Sequence, residues 1–438
     1  MNRKIKKYLQ DILATALSGV LEESGKKISE KIDVTVEVPK DSGHGDVSTN
    51  LALRYAKIAG VNPRQLAEVL CGRLSCKADE EFEKIEIAGP GFINITLSNS
   101  ALHVMLLDLL EKGTEFCRTN LGKGKKVLIE FVSANPTGPL TVAHGRQAAI
   151  GDALARILKK AGFEVSTEFY LNDRGKQISI LGESLYSRYM EICGKKYPFP
   201  EDGYRGGYVH TLARDLFDKE GDKYSRFDKE EAFEYMSLYS KDRIMRWIKE
   251  DLKNFNVEFD TYFSEKEFTG GGQVEESIKA LKDKACLFEK DGAVWFKSTE
   301  FGDDKDRVVV KSNGEWTYIA PDIAYHKDKL AREYDLLIDI FGPDHHGYIP
   351  RMKAAIEALG YDPEILKVII IQLATLYKGG KKLSMSTRQG EFISLRDVVD
   401  EVGKDAARYF FVMRSNASHL DFDLELAKKQ SPDNPVYY

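Results

Sequence analysis

Residues 127–160 read VLIEFVSANPTGPLTVAHGRQAAIGDALARILKK. The stretch opens with a short apolar run, Val127, Leu128, Ile129, Phe131 and Val132, the pattern of a strand covered on both faces. Asn135, Pro136, Gly138 and Pro139 break it. From Ala148 apolar residues return at helical spacing through Ala149, Ile150, Ala153, Leu154, Ile157 and Leu158. Lys159 and Lys160 suit the negative end of the helix dipole, and Gly162 closes it. A strand, a turn and a helix in this order point free N–H groups at the turn, a site for phosphate. Two residues stand out. Glu130 lies inside the apolar run and needs a cationic partner. His144 and Arg146 stand at the positive end of the helix, which disfavours cations unless an anion lies between them.

Outward from this unit, VSTEFYLN (165–172) reads as the next strand and 175–190 as its helix, so a doubly wound parallel sheet is expected. Residues 191–310 break the pattern with a Gly/Tyr/Pro-rich loop, charged helices and a hairpin, and read as an insertion. The sheet resumes at YDLLIDIFG (334–342), followed by helix 349–359 and one long strand, LKVIIIQLATLY. From Ser394 the chain reads as helical. On the other side, residues 1–100 form a compact α+β unit: an amphipathic helix over 1–31, a strand VTVEV at 34–38, two further helices, and KIEIAGPGFINITL at 84–97 as two strands or one bent strand. The fold class is therefore α/β, a doubly wound Rossmann-like sheet over 111–393, with an N-terminal α+β domain over 1–110 and a helical stem over 394–438.

Composition limits the function classes. With 64 basic against 69 acidic residues the net charge is −5, so nucleic-acid contact must come from local patches. The five cysteines form no CxxC pair, which argues against zinc and against a disulfide framework. The N-terminus has no signal-peptide core, and no apolar run approaches the roughly 20 residues of a membrane span. A cytoplasmic protein is expected.

In open α/β sheets ligands sit beyond the carboxyl ends of the strands. Three polar loops meet that condition: 133–146, 342–348 and 378–391. The first carries Ser133, Asn135 and His144; the second Asp344, His345 and His346. The third carries Lys378, Lys381, Lys382, Ser384, Ser386 and Arg388 among glycines, a composition suited to offsetting phosphate charge. Each alone is more often a cap or a solvated loop. The paired histidines lack a third ligand, so no metal site is expected. In YIAPDIAYHKDK (318–329), Tyr318 and Asp322 are four apart and share one side of a helix. With Glu130 they place carboxylates beside a site made for an anionic nucleotide, which implies a strongly cationic substrate.

These stretches resemble arginyl-tRNA synthetases of bacterial type, in class I of the aminoacyl-tRNA synthetases. S-A-N-P-T-G-P-L-T-V-A-H-G-R is similar to the family's HIGH region and M-S-T-R-Q-G-E-F to its KMSK region; Y-L-N-D-R-G-K-Q-I, D-H-H-G-Y, G-K-D-A-A-R-Y-F and S-H-L-D-F-D-L are family-like. G-P-G-F-I-N-I resembles the extra domain that contacts the tRNA elbow, implying Phe92 and Asn94 as tRNA contacts. The resemblance implies ATP-dependent attachment of L-arginine to tRNA(Arg) through an arginyl-adenylate, with ATP and Mg²⁺ as substrate, no tightly bound cofactor, bound tRNA needed for activation, and a monomer. Ser133, Asn135 and His144 would hold the arginine α-amino and carboxylate groups and the ATP phosphates. Tyr318 and Asp322 would bind the guanidinium, assisted by Glu130; Asp344 and His346 would line the arginine or adenosine pocket. Thr141, His144 and Gly145, with Met385 and Ser386, would contact ATP.

The chain departs from the pattern. Thr141 and Ala143 replace the first His and the Gly of HIGH, and Ser384 and Thr387 stand where KMSK has lysines. Lys381 and Lys382, with Arg388, are the expected substitutes, making His144, Lys382 and Arg388 the catalytic candidates. Relatives continue into a helical anticodon-binding domain, of which 394–438 would be the start. Two alternatives remain: a tRNA-binding or regulatory paralogue without full aminoacylation activity, and a nucleotidyltransferase acting on another cationic metabolite.

Overall fold

The computed structural model describes residues 3–26, 32–75, 81–383 and 392–437. It separates into two compact units, Met1–Arg118 and Thr119–Tyr438. No helix among the described residues is long and apolar enough to cross a membrane.

In the first unit α1 (Arg3–Glu23) buries Leu9, Leu13, Leu17 and Leu21, a row at i, i+4 spacing. After β1 (Val47–Thr49), the helices α2 (Leu51–Ala59) and α3 (Pro63–Ser75) complete that core. Residues 84–97 resolve into two strands, β2 (Phe82–Ala88) and β3 (Phe92–Leu97), in an antiparallel sheet of order β1-β3-β2. Gly91 makes the reversal: its φ of 140° and a Cβ position 2.9 Å from the Pro63 backbone leave room for no side chain. VTVEV forms no strand. Val34 and Val36 are buried, but Glu37 makes a single bridge to Ser48 before Pro39 removes the next donor. The unit ends in α4 (Asn99–Lys112), capped by Ser98.

In the second unit β4 (Lys126–Glu130), α5 (Val142–Lys160) and β5 (Glu164–Leu171) form the expected strand–helix–strand. The helices α6 (Lys176–Ile192), α7 (Gly207–Glu220) and α8 (Lys229–Asn254) follow. Next comes β6 (Thr261–Ser264), which pairs in parallel with β5. The expected insertion over 191–310 is thus interrupted by an edge strand of the central sheet. After β6 come α9 (Glu265–Thr269), α10 (Gln273–Asp283) and a small antiparallel sheet of β7 (Leu287–Lys290), β8 (Ala293–Phe296) and β9 (Arg307–Val310). The chain then returns through α11 (Ile319–Ala331), β10 (Leu336–Phe341), α12 (Tyr348–Ala358) and β11 (Leu366–Ile370).

The sheet order is β11-β10-β4-β5-β6, all parallel. The chain leaves β4 toward one edge and resumes at β10 on its other side, so the switch in strand order lies between β4 and β10. Val127 and Ile129 face one core with α5, α6 and α8, while Leu128 faces the other with α11 and α12. This two-sided burial explains the continuous apolar run.

The single strand expected over 366–377 is two. β11 stops at Ile370, and β12 (Ala374–Lys378) joins a different sheet with β13 (Lys381–Lys382) and β14 (Leu420–Asp423). The helices α13 (Leu395–Val402) and α14 (Lys404–Val412) match the helical reading after Ser394, but 420–423 is a strand parallel to β12, followed by the short helix α15 (Leu424–Lys428).

One helical glycine sets how closely α5 approaches the sheet. A Cβ on Gly151 would lie 2.4 Å from two ring atoms of buried Phe131, itself 4.3 Å from the Phe259 ring. Overpacking of this kind costs about 1–3 kcal/mol, against about 1 kcal/mol gained in helix propensity. Gly151→Ala is therefore expected to lower stability in urea unfolding. Gly72→Ala in α3, where a Cβ meets nothing within 4 Å, is expected to raise it. A stabilised Gly151→Ala would show that the ring yields.

Candidate active site

The loop after β4 begins with backbone strain. Val132 and Ser133 both take positive φ, 69° and 41°, rare for residues with a side chain. Ser133 Oγ donates to Glu130 Oε1 at 2.9 Å and accepts from the Tyr170 N–H at 3.1 Å, locking the turn onto β5. Asn135 Nδ2 donates to Gln177 Oε1 at 2.8 Å.

α5 begins six residues, nearly two turns, before its apolar periodicity, at Val142, capped by Thr141. His144 Nδ1 accepts from the Thr141 N–H at 3.1 Å, so the proton of the neutral ring is on Nε2. Burial lowers the His144 pKa to about 4, so the ring is uncharged at neutral pH. That resolves the conflict with the helix dipole without an anion. Arg146 is resolved differently. Its buried guanidinium donates to the carbonyls of Gln372 at 2.8 Å and of Ser415 and Ser418 at 3.0 Å. These bonds hold the break between β11 and β12.

A cavity of about 520 Å³ opens at the switch in strand order, beyond β4, β5 and β10. Of the expected residues it brings together Glu130, Ser133, Asn135, His144, Asp322 and Asp344. Tyr318 does not join them: it is 89% exposed ahead of α11. His345, stacked on Phe341 at 4.9 Å between ring centres, lines the cavity in place of His346. Thr141 serves as helix cap and bridges Ser394. Gly145 packs under Leu395 and Phe411, whose atoms would meet a Cβ at 2.6 and 3.1 Å. Lys381 and Lys382 form an exposed two-residue strand outside the lining. Met385, Ser386 and Arg388 lie outside the described residues. In the first unit Asn94 is buried, accepting from Ser48 Oγ at 2.8 Å, whereas Phe92 is exposed.

Beneath the cavity is a buried ion network. Lys329 Nζ lies 2.6 Å from Glu130 Oε2 and 2.8 Å from Asp339 Oδ1, all three fully desolvated. His326 Nε2 faces Asp339 Oδ2 at 3.0 Å, and its Nδ1 faces the Asp322 carbonyl at 2.9 Å. Burial opposes ionisation of Asp339, but Lys329 and His326 outweigh it and hold its pKa at about 2. On β5, Glu168 takes both terminal nitrogens of Arg332 and the Tyr325 hydroxyl. The partner that Glu130 required is therefore Lys329. That residue was missed, although it follows the same rule: a lone charge on an apolar helix face, opposite Asp339 in the apolar strand LLIDIF.

Asp322 is the exception. Among the described residues none makes a hydrogen bond or ion pair with its carboxylate. Burial raises its pKa to about 7, the negative charges of Glu265 and Glu130 add to the rise, and His326 and Arg351 oppose it. The charged lining is Glu130, Asp322 and Asp344 with no Lys or Arg among the described residues. A hole lined this way selects a cation, and an unpaired carboxylate favours one with parallel N–H donors.

Comparison with known proteins agrees. Residues 105–423 match the family described as tRNA synthetases class I (R), catalytic domain, and residues 3–97 match the arginyl tRNA synthetase N terminal domain. The arginine–tRNA ligase of Bacillus licheniformis is 48% identical over 435 residues, 99% of this chain and 78% of that protein. That of Bacillus subtilis is 46% identical over the same shares. The solved arginyl-tRNA synthetase of Thermus thermophilus, 20% identical, shares the fold with a TM-score of 0.68 over 98% of this chain and 79% of that one. Nearly half of all positions shared across the whole chain, and an acid-lined cavity at the switch of a parallel sheet, have one common explanation: the chain belongs to the arginyl-tRNA synthetase family of class I.

Proposed function

We infer that the chain attaches L-arginine to tRNA(Arg) at the expense of ATP, and that the guanidinium is bound by Asp322. The observation that carries this reading is the unpaired, half-buried Asp322 carboxylate in a cavity whose charged lining is otherwise acidic or histidine. Glu130, already ion-paired to Lys329, shapes the floor and adds negative potential. Asn135 and Ser133, both in the cavity lining, would hold the arginine α-amino group. The arginine carboxylate attacks the ATP α-phosphate in line, forming arginyl-adenylate and releasing pyrophosphate. No covalent bond to the enzyme is required, so catalysis is positioning and charge stabilisation. His144, with its Nε2–H directed from the start of α5, donates to the phosphate region without adding charge. Mg²⁺ arriving with ATP, and Lys381 and Lys382 of β13 together with Arg388, would offset phosphate charge that the acidic cavity cannot. Asp344 and His345 would flank the nucleoside. The activated arginine then passes to the 3′-terminal ribose of tRNA, whose elbow would rest on the first unit near Phe92. The free thiols of Cys71, Cys193 and Cys286 support a cytoplasmic setting.

The alternative of a tRNA-binding paralogue gives the unpaired Asp322 no role. Arginine-dependent ATP–pyrophosphate exchange, measured with and without tRNA, tests the reading. Exchange that requires arginine and rises with tRNA is expected; no exchange together with no arginine binding would overturn it. Lys381→Ala/Lys382→Ala is expected to slow exchange, and unchanged activity would assign the phosphate contact to another cation.

A further inference from the structure

His326 is buried on α11 one turn after Asp322. Its Nδ1 lies 2.9 Å from the main-chain carbonyl of Asp322, and its Nε2 lies 3.0 Å from Asp339 Oδ2 on β10. A carbonyl oxygen only accepts, so Nδ1 must carry a proton. An ionised carboxylate also only accepts, so Nε2 must carry one too. Asp339 is ionised: Lys329 Nζ donates to its other oxygen at 2.8 Å, and against burial the two cations hold its pKa at about 2. A singly protonated ring would turn a lone pair on one of these two oxygens. We propose that His326 is a doubly protonated positioning residue, which fixes the first turn of α11 and with it the Asp322 carboxylate for the guanidinium. The proposal rests on the function inferred above, in which Asp322 receives the substrate.

Charge balance requires the same two protons. Lys329 and His326 supply two positive charges, and Glu130 on β4 with Asp339 supplies two negative ones, so the buried cluster closes at zero. A ring with one proton would leave an uncompensated carboxylate in a desolvated site, which is costly. The other polar neighbours of the ring are neutral. Tyr325 on α11 has its ring centre 5.7 Å away and Tyr348 on α12 has its at 6.1 Å, and burial holds both phenols well above their ordinary range. The consequence reaches the substrate through Asp322. Burial pushes its carboxyl up to about 7, Glu265 of α9 and Glu130 push the same way, and His326 is the largest influence against them, ahead of Arg351 on α12. One ring therefore does two things for Asp322. It anchors the helical turn that carries the residue, and its charge keeps the carboxyl able to ionise when a cation enters an acid-lined cavity.

Nitrogen-15 NMR of the histidine side chains in the full chain reads the protons directly, with the His326 signals assigned by their loss in His326→Gln. Both ring nitrogens are expected to be protonated at pH 7. In Asp339→Asn the amide can donate to Nε2, so one proton suffices and the Nε2 signal should move to the unprotonated position by pH 8. Arginine affinity by calorimetry is the second readout. Removing the cation raises the Asp322 pKa, so in His326→Gln the fall in affinity on the acid side should begin about one pH unit higher. The loss is then roughly fivefold at pH 7 and less than about twofold at pH 9. A wild-type ring with an unprotonated nitrogen at pH 7, or a loss equal at pH 7 and pH 9, overturns the proposal. Should His326→Gln fail to fold, the same signals are identified by their displacement in Asp339→Asn, and the wild-type ring decides. Wild type that binds no arginine at any pH refutes the functional reading and the positioning role with it. Wild type that binds arginine over a singly protonated ring refutes this inference alone.

Discussion

Replacing Lys329 with methionine is expected to cost about 3–5 kcal/mol of folding stability at pH 8, the penalty of stranding buried carboxylates. The ammonium is fully buried and is the bridge between Glu130 and Asp339, at 2.6 and 2.8 Å. Without it two desolvated carboxylates lie close under the cavity, with His326 the remaining cationic candidate in contact with Asp339. The pH dependence has a definite sign. In wild type the Asp339 pKa is depressed to about 2, so its contribution is full above its ordinary value of 3.8 and is lost as pH falls toward 2. In the variant Asp339 loses that support and its pKa rises, so stability is retained at low pH and lost as pH climbs. Urea unfolding at pH 5 and pH 8 should therefore show a much larger deficit at pH 8. Adding Glu130→Gln should recover part of it by removing one charge. A loss below about 1 kcal/mol, or one equal at both pH values, would mean that water or another cation replaces the ammonium.

Residues whose roles follow from their neighbours in sequence were legible. The apolar run at 127–132 with its turn and following helix placed the central strand, α5 and the ligand end of the sheet. The lone Glu130 announced a buried ion pair. What the sequence hid depends on contacts across long separations. Lys329 stands 199 positions from Glu130 in the chain, and nothing local names it as the partner. The run 366–377 is mostly apolar, with Lys367, Gln372 and Thr375 scattered along it, so periodicity shows no clear break at Ile370. The break is imposed from outside, by a guanidinium 226 residues away that binds the Gln372 carbonyl. That same Arg146 looked like an anion ligand because it stood beside His144 at a helix start. Helical geometry turns the two to different neighbours, one toward the cavity and one into the core. The four-residue spacing of Tyr318 and Asp322 assumed that the helix includes both. α11 begins at Ile319, so Tyr318 lies just outside it and turns to solvent. Gly145 belongs to the motif by sequence, yet its missing side chain serves the packing of Leu395 and Phe411.

Asp322→Asn should abolish most arginine-dependent exchange while making the free chain more stable, two effects of opposite sign. Losing one partner of a desolvated charge pair costs about 2–5 kcal/mol of binding, or roughly 30- to several-thousand-fold in arginine KM. The KM for ATP should change little, because no phosphate contact is removed. In the empty cavity the carboxyl titrates near 7, against an ordinary 3.8. A raised value means that its contribution to stability is full below about 4 and is lost as pH rises through 7. The asparagine variant carries no charge to desolvate, so at pH 8 it should unfold about 1–2 kcal/mol later than wild type, allowing for a side chain partly open to water. At pH 4 the two should coincide. Arginine reverses the order, since it ionises and pairs Asp322 in wild type alone. Binding near pH 7 should release a proton, visible as a heat that varies with the ionisation enthalpy of the buffer, and arginine affinity should fall as pH drops below about 7. Thermal unfolding at pH 4 and pH 8, each with and without arginine, separates the possibilities. A variant destabilised at both pH values would make Asp322 a structural residue. A variant that keeps wild-type arginine affinity would move guanidinium recognition to another carboxylate of the cavity.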